Sequence, residues 1–236
     1  LAKLGGGFAL TTSYGEGIAQ PTFFDLYGFF PGSFVGNPAL RPERSRGVEG
    51  GLRYADDRIS VALTAYRQRL RDEIIDVFNP ADFTSTTANA AGRSTRKGIE
   101  IEAGWAVSPA LRLTAAYAYL KASERTDPLG RATKELRRPK HSGSISAEGS
   151  SGRLSYGAAL TYTGARSDRD FDLFPAPFVR LDPYWLASAR VAYRLSDQVE
   201  LFGRVANAFD EDARDVVGYR TEGRSAYAGI RLGLGR

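Results

Sequence analysis

The 236-residue sequence contains no cysteine, no methionine and one histidine. Without cysteine there is no disulfide framework, no thiolate metal site and no thiol catalysis. One histidine, His141, cannot build a poly-histidine metal centre. The absence of methionine gives the expectation of a piece of a longer chain or a processed product. The opening Leu1-Ala2-Lys3-Leu4 has neither the basic nor the apolar region of a signal peptide. No apolar run approaches the ~18 residues that a spanning helix requires, which excludes helical membrane proteins. The charge balance is 32 Lys+Arg against 27 Asp+Glu. Bases alternate with acids, and no basic stretch is interleaved with stacking aromatics, so no nucleic-acid partner is expected.

What is present is glycine and aromatic side chains. There are 26 Gly, about 11% against a usual ~7%, with 12 Tyr, 13 Phe and 2 Trp. Hydrophobic residues reach only 42%, yet they follow a strict period of two. Ala226, Ala228, Ile230, Leu232 and Leu234 alternate with Ser225, Tyr227, Gly229, Arg231, Gly233 and Gly235. Leu111, Leu113, Ala115, Tyr117 and Tyr119 oppose Arg112, Thr114 and Ala116, and Ile99, Ile101, Ala103, Trp105 and Val107 oppose Glu100, Glu102 and Gly104. Successive side chains on a strand point to opposite faces, so each segment reads as a strand with one greasy face and one polar or small face.

Ten such segments are predicted, at 4–15, 44–55, 58–74, 93–107, 110–124, 139–149, 153–166, 179–195, 198–209 and 223–235. Many exceed the ~5–6 residues usual for a strand in a soluble protein, and ~9–11 tilted residues suffice to cross a bilayer core. Tight turns at Ala55–Asp57, Ser108–Pro109, Ser150–Gly152 and Ser196–Asp197 alternate with long links at 16–43, 75–92, 125–138, 167–178 and 210–222. That alternation puts short turns at one rim and long loops at the other, as in outer-membrane barrels. Tyr14, Tyr54, Tyr119, Tyr162, Trp185 and Tyr193 fall near the ends of apolar faces, where interfacial aromatics sit. Gly5-Gly6-Gly7 reads as a flexible strand start with no phosphate-loop context. The expected fold is all-β: an antiparallel transmembrane β-barrel of about ten strands, the C-terminal part of a 22-stranded barrel, forming an open curved sheet or a partial barrel by itself. Residues 1–236 are read as one such domain.

Glu49, Arg53, Glu100, Glu102, Arg112, Glu148, Arg153, Arg190, Arg194, Glu200, Arg204 and Arg231 all lie opposite the greasy face. A basic residue facing lipid at mid-depth is penalised by up to ~2–4 kcal/mol, so these groups are expected to face the lumen. The mixture of signs favours mutual pairing or docking to something inside the barrel. A solvated outer face of a soluble sheet is the competing reading.

Several motifs then resemble one family. Asn37-Pro38-Ala39-Leu40-Arg41-Pro42-Glu43-Arg44-Ser45 with Glu49 and Gly51 is similar to the NPxLxPExS…ExG signature of TonB-dependent outer-membrane receptors. Tyr14-Gly15-Glu16-Gly17, Gln20-Pro21-Thr22 and Asp25-Leu26-Tyr27 resemble an element upstream of it. Asn89 and Gly92 leading to Gly98-Ile99-Glu100 resemble the opening of the family's next hairpin. Asn207-Ala208-Phe209-Asp210, Gly218-Tyr219 and Gly223-Arg224 resemble its closing motif. Arg137-Arg138-Pro139-Lys140-His141 and the stretch Gly218 to Gly229 look most like the vitamin B12 (cobalamin) branch, although siderophore receptors share much of both. Two departures stand out: the chain ends on Leu234-Gly235-Arg236 where the family ends on an aromatic, and the plug and TonB-box are not in this sequence.

The resemblance implies a ligand-gated active transporter of the Gram-negative outer membrane. An outer loop would capture cobalamin or a ferric siderophore, and a plug would be pulled by the TonB–ExbB–ExbD system. Membrane lipid and a small-molecule ligand are the expected partners, with no cofactor, no catalytic residue and no metal site. Candidate ligand contacts are Phe23, Phe24, Tyr27, Phe29, Phe30, Phe171 and Phe174, with Phe34 and Phe178 beside them; packing of the 16–43 loop on itself is the alternative. Asp168, Asp170 and Asp172 alternate in a loop and could hold Ca²⁺, but no turn glycine or bidentate glutamate completes a calcium loop. A passive porin and a ten-stranded outer-membrane protease using His141 are the rival functions; Arg138, Pro139 and Lys140 offer that histidine no orienting carboxylate.

Overall fold

The computed structural model describes residues 1–125 and 131–233. Among these, eleven strands form one antiparallel meander: β1 Ala2–Gly5, β2 Phe8–Ala19, β3 Glu43–Ala55, β4 Ile59–Arg71, β5 Arg93–Ser108, β6 Leu111–Glu124, β7 His141–Ser151, β8 Leu154–Thr163, β9 Tyr184–Arg194, β10 Val199–Ala206 and β11 Ser225–Leu232. Each strand pairs with its neighbour in sequence, and the order runs from β1 to β11 without returning, so the sheet is open. Among the described residues no helix is long and apolar enough to cross a membrane. Leu234 and Gly235, part of the terminal alternation, lie outside the described residues.

The expected single segment 4–15 is two strands. Gly5, Gly6 and Gly7 have φ of +87°, +57° and +84°, a left-handed path that turns the chain back on itself. A Cβ on Gly7 would meet the Ala55 carbonyl at 2.6 Å, and Ala55 N–H donates to Gly7 O at 3.0 Å. The glycine run is therefore a hairpin on the short-turn rim, not a flexible start. Two expected segments also run on too far. β8 ends at Thr163 and the chain leaves the wall at Gly164, where a Cβ would meet the His141 carbonyl at 2.6 Å. Arg166–Arg169 then pairs with Phe178–Leu181 in a separate two-stranded piece above the wall.

Register joins the greasy faces into continuous rows. Leu10, Leu52, Leu63, Ile101 and Tyr117 are direct cross-strand partners from β2 to β6. At the far side Leu154, Tyr193, Leu201 and Ile230 are partners from β8 to β11. A one-residue slip at any hairpin would break every row, so the pattern itself fixes the register.

These rows are exposed. Ile230 is 63% accessible and Leu63 43%, while the buried hydrophobic residues are Ala90, Leu181, Tyr184 and Ala213, none of them in the rows. Along β4 the greasy positions Ile59, Val61, Leu63 and Ala65 are exposed and the intervening Ser60, Ala62, Thr64 and Tyr66 are half-buried. A soluble sheet has the opposite order. The polar face is the concave one: a hollow of about 1130 Å³ is lined by Arg112, Glu148, Arg190, Glu200, Arg204 and Arg231. Ionic groups pair inside it. Arg190 Nη2 donates to Glu148 Oε1 at 2.8 Å across Gly157, whose missing side chain leaves the path open, and Arg231 pairs with Glu200.

The two faces of β4 give a direct test. In the full-length protein in lipid vesicles, Leu63→Arg is expected to cost about 2–4 kcal/mol of unfolding free energy. Thr64→Arg is expected to cost under about 1 kcal/mol, as measured by denaturant titration. Equal costs would contradict the lipid assignment of the greasy face.

Candidate functional site at the long-loop rim

The long links are not plain connectors. Thr22 caps the short helix Phe23–Tyr27: its hydroxyl accepts from Asp25 N–H at 3.1 Å while the Asp25 carboxylate accepts from Thr22 N–H at 2.8 Å. After the helix, Phe29–Phe30 and Phe34–Val35 join the hairpin Ile74–Asn79 and Thr84–Asn89 in a four-stranded sheet, with Phe34 and Val35 running parallel to Ser85 and Thr86.

Two asparagines of the quoted motifs clamp these links together. Asn37 Nδ2 donates to Thr87 O at 3.0 Å, and its Oδ1 accepts from Ala39 N–H at 2.9 Å, which sets the turn into Pro38. Asn89 accepts from Arg41 N–H and donates back to Arg41 O, both at 2.8 Å, and to Asp72 O at 2.8 Å. The Arg41 guanidinium closes on Asp72 at 2.7 Å, and Glu43 accepts from Ile74 N–H at 2.7 Å. At the other end Asn207, in the left-handed region at φ 47°, donates to Glu211 O and Glu222 O and accepts from Glu211 N–H.

The remaining loops are tied at Asp168. This carboxylate is fully buried and accepts from Arg137 Nε, Arg169 N–H and Val217 N–H, each at 2.9 Å. Three loops thus meet on one fully buried side chain, whose two oxygens accept three hydrogen bonds from them. No group of three or more potential metal ligands occurs among the described residues. Beside it the buried Arg166 bonds Asp215 at 2.7 Å, and the Tyr184 hydroxyl donates to the same carboxylate at 2.7 Å. Glu135 is held by Arg96 through both oxygens at 2.8 Å and by Arg138 at 2.9 Å. Sequence reading passed over Arg166, Asp215 and Glu135, because only their tertiary partners mark them.

The candidate aromatics divide into two sets. Phe24 stacks on Phe34 at 4.6 Å between ring centroids and touches Phe30 at 6.0 Å, so this part of the loop packs on itself while Phe24 and Phe30 each keep an exposed side. Phe23, Tyr27 and Phe29 stay open to solvent, Phe23 at 86%. Phe174 packs edge-on against Phe78, which packs against Phe83, joining two loops; Phe78 and Phe83 were visible in the 75–92 link but not singled out. Phe171 is exposed, and Phe178 carries the Arg169 guanidinium at 4.4 Å. His141 Nδ1 shares a hydrogen bond with the Tyr117 hydroxyl at 2.7 Å. Glu49, Arg53, Glu100, Glu102, Arg112, Arg190, Arg204 and Arg231 all stand on the face opposite the greasy rows.

The loop junction has a pH dependence of known sign. Burial pushes the Asp168 carboxyl up, but the Val217 and Arg169 amides and the Arg137 guanidinium outweigh burial and hold it below the usual carboxylate range. A depressed folded-state pKa gives stability that is present above the unfolded value of about 3.9 and is lost as pH falls through the folded value. Protection of the Val217 and Arg169 amides from hydrogen exchange, relative to their intrinsic rates, should therefore hold down to about pH 4 and fall below it. A fall in protection already between pH 6 and 5 would contradict this account of the junction.

Residues 3–208 match the family described as TonB dependent receptor-like, beta-barrel. Solved structures share the fold at low identity. The siderophore receptor PirA from Acinetobacter baumannii aligns at a TM-score of 0.78 and 19% identity, over 98% of this chain and 39% of that one. The ferric-catecholate import receptor Fiu from E. coli K12 aligns at 0.75 and 20%, over 98% and 33%. The copper transporter OprC aligns at 0.74 and 17%, over 96% and 38%. The chain thus spans well under half the length of each of these proteins. With the match covering most of its length, the chain belongs to the TonB-dependent receptor family, as a segment of its outer-membrane β-barrel.

Proposed function

We propose that the chain forms part of the wall and outer rim of an active transporter that captures a ferric siderophore at the cell surface. The observation that carries this reading is the shelf of solvent-exposed rings, Phe23, Tyr27 and Phe29, held up by a hydrogen-bonded rim. Exposed aromatic side chains on a rigid support offer large contact area at low conformational cost, which suits a bulky, flat-faced ligand. Neighbours whose names specify ferric enterobactin, ferric catecholate or siderophore support it. In this reading residues 1–236 are one partial barrel domain, the C-terminal part of a 22-stranded barrel. Its concave ionic face lines the lumen against a plug, and TonB with ExbB–ExbD supplies the pull. The protein's task is binding and gating, with no covalent chemistry.

Cobalamin is the second reading, since Arg137 to His141 and Gly218 to Gly229 resemble that branch. Two of those residues have structural work of their own: Arg137 Nε is bonded to Asp168, and His141 Nδ1 to Tyr117.

The test uses the full-length receptor with a ferric tris-catecholate and with cyanocobalamin as probes. Ferric chelate binding is expected, and the triple substitution Phe23→Ala, Tyr27→Ala, Phe29→Ala should weaken it at least 10-fold while heat-modifiable migration shows the barrel intact. Binding of cyanocobalamin alone would replace the ligand assignment. Unchanged ferric chelate affinity in the triple variant would remove the aromatic shelf from the site.

A further inference from the structure

On the greasy face the apolar rows stop abruptly toward the long-loop rim and cations take over. Along β4, Ile59, Val61, Leu63 and Ala65 are followed on the same face by Arg67, Arg69 and Arg71; along β5, Ile101 and Ile99 are followed by Lys97 and Arg93. Register gathers these into three adjacent rungs. Val48, Arg67, Lys97 and Lys121 form one; Glu16, Arg46 and Arg69 the next; Ile18, Arg44, Arg71 and Arg93 the last. Eight cations thus occupy one patch of four strands, roughly 14 Å by 14 Å at ~4.8 Å between strands and ~3.4 Å per residue.

The patch is not neutralised from within. Arg46–Arg69, Arg44–Arg71, Arg71–Arg93, Arg67–Lys97 and Lys97–Lys121 are direct cross-strand partners of like sign, an arrangement that destabilises a sheet. Among the described residues the one ion pair within the patch is Arg46 with Glu16 at 3.0 Å. A hollow of about 540 Å³ lies among Arg44, Arg46, Arg67, Arg69, Arg71 and Arg93, floored by Tyr14 and Val48. The patch is local: the outward ends of β8, β9 and β10 at this rim carry Tyr162, Trp185 and Val205.

Its height is also defined. With a tilt of ~40°, the stretch of β5 from Val107 up to Lys97 rises roughly 26 Å, close to the ~25 Å apolar band of an outer-membrane barrel. The cations therefore begin where acyl chains end and headgroups start. We propose that this patch is a binding site for a phosphorylated lipid of the outer leaflet: its acyl chains lie on the Leu52, Leu63 and Ile101 row and its headgroup phosphates sit among Arg44, Arg46, Arg67, Arg69, Arg71 and Arg93. Guanidinium forks suit phosphate oxygens, and the apolar row directly below selects a lipid over a soluble anion. The site is on the membrane side of the wall and is independent of the transported ligand.

The test uses the full-length receptor, purified in mild detergent and read by native mass spectrometry and thermal melting with added lipid A. Bisphosphorylated lipid A is expected to bind at least 10-fold more tightly than its dephosphorylated form. The set Arg67→Gln, Arg69→Gln, Arg71→Gln and Arg93→Gln should lose at least 10-fold in that affinity, and the matching Lys set should recover most of it. Equal binding of the two lipid forms would overturn the proposal, as would unchanged affinity in the Gln set. Equal stabilisation by millimolar inorganic phosphate would make the patch a soluble-anion site and overturn the lipid assignment; the wild-type comparison decides even where the Gln set fails to assemble.

Discussion

In hydrocarbon a backbone N–H or C=O has no partner except another backbone group, so a spanning strand must be hydrogen-bonded on both sides, and its side chains must sort by face. Everything else in this molecule follows from that sorting. The rows Leu10–Leu52–Leu63–Ile101 and Leu154–Tyr193–Leu201–Ile230 are continuous because a slip of one residue would turn Glu49, Glu102, Arg190 or Glu200 toward lipid. The wall thus contains no conventional core; its greasy residues are exposed, and its ionic groups are turned into a hollow where Glu148 meets Arg190 and Glu200 meets Arg231.

Packing of the ordinary kind gathers at the long-loop rim. Ala90, Leu181 and Ala213 are buried there with Thr87, Arg166, Asp168 and Asn207, and Tyr184 and Ser94 join them at the rim ends of β9 and β5. The rim is held by side-chain-to-backbone hydrogen bonds more than by hydrophobic burial, which lets exposed rings such as Phe23 and Phe29 stand on a fixed base. The motif residues Asn37, Asn89 and Asn207 are clamps of that base, so the family resemblance resides largely in how loops are fastened.

The wall was legible because period two needs no tertiary information: strand faces, the alternation of short turns and long loops, and the membrane reading all come from local pattern. The Gly5–Gly7 hairpin was missed because three glycines give no periodic signal, while their positive φ values depend on packing against Ala55. The departure of the chain at Gly164 was missed because it rests on a close approach to the His141 carbonyl, which local pattern does not show. Rim contacts were illegible for a different reason. Asp168 meets Arg137 and Val217 across 31 and 49 residues of sequence, and no spacing rule links them. The cationic patch was half-legible: Arg67, Arg69 and Arg71 share the parity of Ile59 to Ala65, but only register reveals that Arg44, Arg46, Arg93 and Lys97 join them.

Because these 236 residues contain no cysteine, the central claim can be examined with single thiols introduced into this segment of the full-length receptor, with any cysteine elsewhere in the protein first replaced by serine, in reconstituted vesicles. Leu63→Cys and Ile101→Cys, each carrying a bimane label, should be quenched by brominated acyl chains and be insensitive to aqueous iodide. Thr64→Cys and Glu102→Cys should show the reverse. Iodide quenching at Leu63→Cys and Ile101→Cys, with no effect of brominated lipid, would contradict the placement of the greasy face in the membrane.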